Sequence, residues 1–347
     1  MTRRITYCAA LKEATTQEME RDPTVFVYGI GVPTHAKAFG SVAGLTEQFG
    51  PTRCMDTPIS EAAMTGFGFG AAVGGLRPVH VHIRVDFLIL AMNQLVNLIS
   101  TYAYANRGQR GVPLTIRAII GRGWGQGYQH SKSLHSFFTH IPGLKVVAPT
   151  RARDAKGLLT AAIRDDNPVL VLEHRWLYWA EDDVPEEPYA TPIGEAAVLR
   201  EGSDLTIVGT SWMNVEALKA AEILARHGVS VEVVDPRTLA PLDDTSIFNS
   251  VRKTRRCLVA DNDWVYSGFG AEVAARVSQW CFDDLAGPVQ RVGWAHTPCP
   301  TVRALENEFY PNAATIIRAV EGMLDLSPID LDGEDLYSHE RRFKGPF

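Results

Sequence analysis

The chain has 347 residues, 46% of them hydrophobic and 21% charged. That balance excludes a disordered or collagen-like polypeptide and, at roughly 100–200 residues per domain, predicts two domains. A net charge of -6, from 34 basic and 40 acidic residues, leaves no electrostatic footprint for nucleic acid. No membrane span is expected, because the most apolar stretch, Val79 to Val96, is interrupted by Arg84, Asp86, Asn93 and Gln94.

Met1-Thr-Arg-Arg4 precedes only a short apolar stretch before Lys12 and Glu13, unlike a secretory signal. A polar helical stretch ends at Asp22-Pro23, and the run Thr24 to Tyr28 reads as a strand. Further β-branched runs occur at Val112–Arg117, Leu144–Val147 and Val169–Leu172, each bounded by Pro, Gly or Asn. Between them, Asp154 to Asp165 carries a helical stripe of Ala155, Leu158, Leu159 and Ala162. Near-continuous apolar strands alternating with helices predict an α/β fold with parallel sheets. The acidic, proline-bearing segment 181–196 reads as a linker between a domain at 1–180 and a second at 197–325. Strands at Leu205–Val208, Val229–Val234 and Cys257–Ala260 and a helix at Val215–Arg226 repeat the α/β pattern there. Residues 326–347 read as a polar tail. Five scattered cysteines without a C-x-x-C pair predict reduced thiols, as in a cytoplasmic protein.

Gly66, Gly70 and Gly74 line one helical face, which reads as tight helix packing rather than a phosphate cradle, since neither G-x-x-x-x-G-K-[ST] nor a strand-linked G-x-G-x-x-G is present. His80 and His82 share a strand face but lack a third metal ligand nearby. The run from Gly121 to Ser131, with glycine at alternate positions, predicts a loop that ends at His130. Glu61 closes the extended segment Asp56-Thr-Pro-Ile-Ser-Glu61 just before the glycine-bearing helix. It reads either as a desolvated functional carboxylate or as a first-turn acid that complements the helix dipole.

Asp56–Glu61, Gln129-His130-Ser131, Pro142–Val147, Asp154–Leu158, Ala162–Pro168 and Asp235–Asp243 together resemble one family in order and spacing, across about residues 5–324. The family is the β subunit of the decarboxylating component of 2-oxoacid dehydrogenase complexes, which includes the pyruvate, branched-chain and acetoin enzymes and is transketolase-like. The resemblance implies a pyrimidine-binding α/β domain followed by a transketolase C-terminal-like domain. It implies thiamine diphosphate as cofactor, an α2β2 heterotetramer with an α subunit, and acyl transfer to a lipoyl acyltransferase or another carrier. The family's Gly-Asp-Gly…Asn signature for diphosphate and Mg2+ does not occur in the sequence, so an α subunit is expected to hold Mg2+ and the diphosphate.

By position, the resemblance makes Glu61 the carboxylate that bonds the aminopyrimidine nitrogen, Phe87 the aromatic stacked on that ring, and His130 a proton donor or charge stabiliser near the reacting carbonyl or the diphosphate. It also assigns the backbone carbonyls of Leu114, Ala162, Ile163, Asp165 and Asn167 to a potassium site found in some members. The sequence departs from the family at Ile30, Lys132, Asn262 and His296, which points to a specialised substrate or acyl acceptor. The alternatives are a split transketolase-like subunit with another donor or a carrier-protein acceptor, and a non-catalytic partner. A nicotinamide dehydrogenase would need the missing glycine fingerprint.

Overall fold

The computed structural model describes residues 2–34, 37–121 and 126–336. They form two compact units: one takes residues through 121 and then 132–193, the other takes 126–131 and 194–336.

In the first unit, β1 (Thr2–Thr6) precedes the helix Tyr7–Arg21 and β2 (Val25–Gly29). After β3 (Cys54–Met55) come the helix Glu61–Val73, β4 (Arg77–His82), β5 (Thr115–Ile120), β6 (Lys145–Val147), the helix Ala152–Arg164, β7 (Val169–His174) and β8 (Glu181–Pro185). Strands β6-β7-β5-β4-β2-β3 are neighbours in that order, and each pair is parallel. Every residue of β2, β5 and β7 is buried, as expected for parallel strands covered on both faces. Gly29 is required where β2 meets β4: its φ is +156° and a Cβ there would lie 2.3 Å from the Val81 carbonyl oxygen.

Residues 181–196 are not simply a linker. β8 pairs antiparallel with β1, Arg4 opposite Asp183 and Thr6 opposite Glu181. Backbone pairing does not depend on apolar side chains, and a basic strand beside an acidic one gains opposite-charge contacts, such as Arg4 to Glu181 at 3.3 Å. Lys156 secures the end of β8 and the two glutamates after it: its buried ammonium donates to the carbonyls of Pro185 (2.7 Å), Glu186 (2.9 Å) and Glu187 (3.1 Å).

A second correction concerns the apolar stretch. Counting from Arg84 onward instead of across it, Val85–Ala105 is a helical segment long and apolar enough by composition to cross a membrane. A helix packed within a folded unit meets the same test, and Leu88, Ala91, Leu95 and Ile99 are buried here, the segment lying against the helix Glu61–Val73.

The second unit contains β9 (Ala197–Arg200), β10 (Leu205–Gly209), the helix Trp212–Arg226, β11 (Val231–Asp235), β12 (Thr238–Ala240), β13 (Cys257–Trp264) and β14 (Gln290–Trp294). Strands β14-β13-β10-β11 are parallel neighbours, and β9 closes the edge antiparallel to β11. The supposed tail is partly core: Ile329 is buried, and Leu326, Leu331 and Leu336 pack on the cluster built from Ile207, Leu258, Ile317 and Val320. These four residues are spaced too irregularly to mark a helix or strand, so only packing reveals them. Residues 337–347 lie outside the described residues. No disulfide joins the five cysteines.

Candidate active site

Ligands of parallel α/β sheets bind beyond the carboxyl ends of the strands, and the residues singled out from the sequence come after such ends. Glu61 comes after β3, Phe87 after β4 and, in chain order, His130 after β5.

The segment that delivers Glu61 is pinned by Asp56, whose Oδ1 accepts from the backbone N–H of Gly31 at 2.6 Å and of Thr57 at 2.9 Å. Asp56 is therefore the structural acid of the motif, and Ile30 precedes one of its two donors. The helix then begins at Glu61. Ile59 is 81% exposed beside it, yet Glu61 is only 9% exposed. Among the described residues, no hydrogen bond or ion pair reaches its carboxylate. Its oxygens are not among the fully enclosed polar atoms that lack a hydrogen bond, so the carboxylate opens to space that a ligand can fill.

Phe87 lies in the four-residue helix Val85–Leu88 and is 37% exposed, whereas Val85 and Leu88 are fully buried. The chain just after it, Ile89–Gln94, packs on the helix that Glu61 begins, so the structure brings Glu61 and Phe87 to one region of the first unit. His130 is placed differently. It ends the short helical turn Gly127–Gln129 and belongs with the second unit. There the Ser131 carbonyl accepts from the Tyr310 hydroxyl at 3.4 Å, and Gly127, at φ +58°, sits where a Cβ would lie 2.4 Å from Thr301 Oγ1. Residues 122–125 of the predicted glycine loop lie outside the described residues.

Four of the five expected potassium ligands accept hydrogen bonds within the protein. Arg77 Nη1 donates to the carbonyls of Ile163 (3.1 Å) and Asp165 (2.9 Å). The Ala162 carbonyl accepts from Asp165 N (3.3 Å) and that of Leu114 from Val169 N (3.1 Å). A guanidinium thus lies against two of the five carbonyls, each of which has two lone pairs. For His80 and His82, no group of three or more metal-ligating side chains occurs among the described residues. His82 Nε2 meets His80 Nδ1 at 3.1 Å, Thr65 Oγ1 lies 3.5 Å from the same Nδ1, and the Tyr28 ring stacks on His80 at 4.3 Å. Burial pushes the His82 imidazole down to about 3, and burial followed by His82 pushes His80 well below its ordinary value. Both are neutral core groups.

The glycine stripe is corrected as well. The close approach is at Gly68, where a Cβ would fall 2.0 Å from the Tyr28 hydroxyl, not at Gly66 or Gly70. Sequence reasoning also missed two polar pairs of the first unit. One is Lys132 with Asp86, at 2.9 Å. The other is Arg117 with Glu173, at 2.5 Å, which also takes a 2.5 Å bond from the Tyr178 hydroxyl. Arginine and glutamate inside otherwise apolar strands were the available signal. Of the other departures, Asn262 is buried and its N–H donates to Thr210 Oγ1 at 2.9 Å, while His296 lies against Tyr266.

Residues 3–179 match the transketolase pyrimidine-binding domain, and residues 194–316 match the transketolase C-terminal domain. Pyruvate dehydrogenase E1 component subunit beta of Rickettsia felis is 41% identical over 317 residues, covering 91% of this chain and 97% of the relative. The acetoin:2,6-dichlorophenolindophenol oxidoreductase subunit beta of Cupriavidus necator is 40% identical over 328 residues, covering 92% and 97%. Among solved structures, an inactive beta4 tetramer of a split-gene transketolase shares the fold, with a TM-score of 0.74 and 24% identity over 93% of this chain and 99% of that one.

Proposed function

Because the chain belongs to the family of 2-oxoacid dehydrogenase E1 β subunits, built from the transketolase pyrimidine-binding and C-terminal domains, we propose that Glu61, Phe87 and His130 are its share of a thiamine diphosphate site completed by an α subunit. The observation that carries this reading is Glu61, a largely buried residue whose carboxylate is open and has no partner among the described residues. Such a group fits a ring nitrogen that shares its proton. Phe87, the exposed member of an otherwise buried turn, fits a stacked aromatic ring; an offset stack adds about 0.5–1.5 kcal/mol beyond area burial.

When bound, thiamine diphosphate supplies the carbanion chemistry that decarboxylation needs. Glu61 holds a proton at the aminopyrimidine ring nitrogen, Phe87 orients the ring, and His130 donates a proton to the substrate carbonyl oxygen. The α subunit holds Mg2+ and the diphosphate, for which this sequence has no Gly-Asp-Gly signature. It also covers apolar surface: Leu90 and Leu98 on the segment after Phe87 are 61% and 41% exposed. The acyl unit passes to a lipoyl acyltransferase.

The test is turnover of the chain reconstituted with an α subunit, with and without thiamine diphosphate and Mg2+. Pyruvate, branched-chain 2-oxoacids and acetoin serve as donors, and dichlorophenolindophenol as electron acceptor. Cofactor-dependent turnover by the complex, and none by the chain alone, is expected; turnover by the isolated chain would refute the shared site. The 40% identity to an acetoin oxidoreductase subunit favours acetoin as the second reading, and the same panel separates the two.

A further inference from the structure

The ion pair between Lys132 and Asp86 joins residues 46 positions apart, Nζ to Oδ1 at 2.9 Å. Asp86 lies in the helix Val85–Leu88. Lys132 stands where the chain re-enters the first unit, and its carbonyl accepts from Gly121 N at 3.1 Å. Val85–Leu88 is the first turn of the helical segment Val85–Ala105, and the N–H groups of a first turn have no partner within the helix. Its Arg84 cap makes no side-chain capping bond. What the side chains hold therefore sets how the turn sits. Val85, Asp86 and Leu88 anchor it while Phe87 is presented. Apolar anchors tolerate a roll of the helix, whereas a charge-assisted hydrogen bond has a direction. The Asp86 side chain is only 3% exposed, and its Oδ2 is buried without a hydrogen-bond partner among the described residues. Burial raises the Asp86 carboxyl above its usual range, and Lys132 is the leading influence that opposes this, ahead of Arg84.

We propose that Lys132 is a positioning residue that acts through Asp86 to fix the orientation of Phe87. This rests on the reading of Phe87 as the ring-stacking aromatic. The test uses the chain reconstituted with its α subunit, into which thiamine diphosphate and Mg2+ are titrated while intrinsic fluorescence is followed, with thermal unfolding of the cofactor-free complex measured in parallel. Lys132→Met leaves Asp86 unpaired, so both melting temperature and affinity fall; the dissociation constant rises about threefold to tenfold, the worth of an offset aromatic stack. The double variant Lys132→Met/Asp86→Asn removes both charges. Its melting temperature recovers while its affinity stays weakened, because the directional bond is still missing. Wild-type affinity in the double variant, or in a folded Lys132→Met, would overturn the proposal. Should Lys132→Met fail to fold, the double variant decides. If the wild-type complex itself binds no thiamine diphosphate, the reading of Glu61 and Phe87 falls first and this inference with it.

Discussion

Two buried glutamates of the first unit have opposite surroundings. Glu173 is 1% exposed and takes two bonds from Arg117, at 2.5 and 3.0 Å, and one from the Tyr178 hydroxyl. Arg117 reaches on to Ser41 Oγ at 2.8 Å. Glu61 is 9% exposed, its oxygens are not enclosed, and it has no such partner among the described residues. Burial alone therefore does not separate scaffold from site. A carboxylate whose lone pairs are filled by the protein specifies the packing around it, whereas one left without donors specifies a ligand.

The comparison breaks first if Glu61→Gln behaves like a scaffold mutation. Turnover of the reconstituted complex should fall about 10²–10⁴-fold, the usual worth of a positioned acid. Its melting temperature should hold, since no hydrogen bond or ion pair of this carboxylate among the described residues is lost. Arg117→Met should do the reverse, costing about 3–5 kcal/mol in chemical denaturation because Glu173 loses its counter-charge and retains only the Tyr178 hydroxyl; a cost under about 1 kcal/mol would show that Glu173 does not depend on its arginine.

The neutral histidine pair adds a pH dependence. The unfolded chain binds protons at His80 and His82 near pH 6.5, while the folded values are depressed, to about 3 for His82. Unfolding therefore takes up protons between those limits. Stability is full above pH 6.5 and declines as pH falls towards 3, by up to about 1.4 kcal/mol per pH unit for each histidine. Denaturation curves across that range should lose part of their slope in His82→Leu. Gly68→Ala should cost about 1–3 kcal/mol through overpacking against the Tyr28 hydroxyl, and adding Tyr28→Phe should return part of it. The smallest effect is expected for Arg4→Ala, under about 1 kcal/mol, because its partner Glu181 is solvent-exposed.

Much of the site was legible because its signals are local. Proline at 58 and the polar run before Glu61 mark an extended entry to a helix, and the helix begins at that residue. Strand and helix patterning located seven of the fourteen strands among the described residues to within a few residues, and the helix read as Asp154 to Asp165 is found at Ala152–Arg164. What escaped was decided at long range. β8 finds β1 nearly 180 residues away, Gly68 rather than its striped neighbours meets Tyr28, and Arg77 turns to carbonyls 86 and 88 positions later.

By itself the sequence determined the alternation of strands and helices, the family and the candidate carboxylate at Glu61, because turn chemistry, hydrophobic period and motif spacing are written along the chain. Only the tertiary structure decided which polar groups are satisfied. Whether Glu173, the carbonyl of Asp165 or Glu61 has a donor depends on side chains brought from distant positions, and hydrogen bonds at about 3 Å leave no periodic trace in the order of residues.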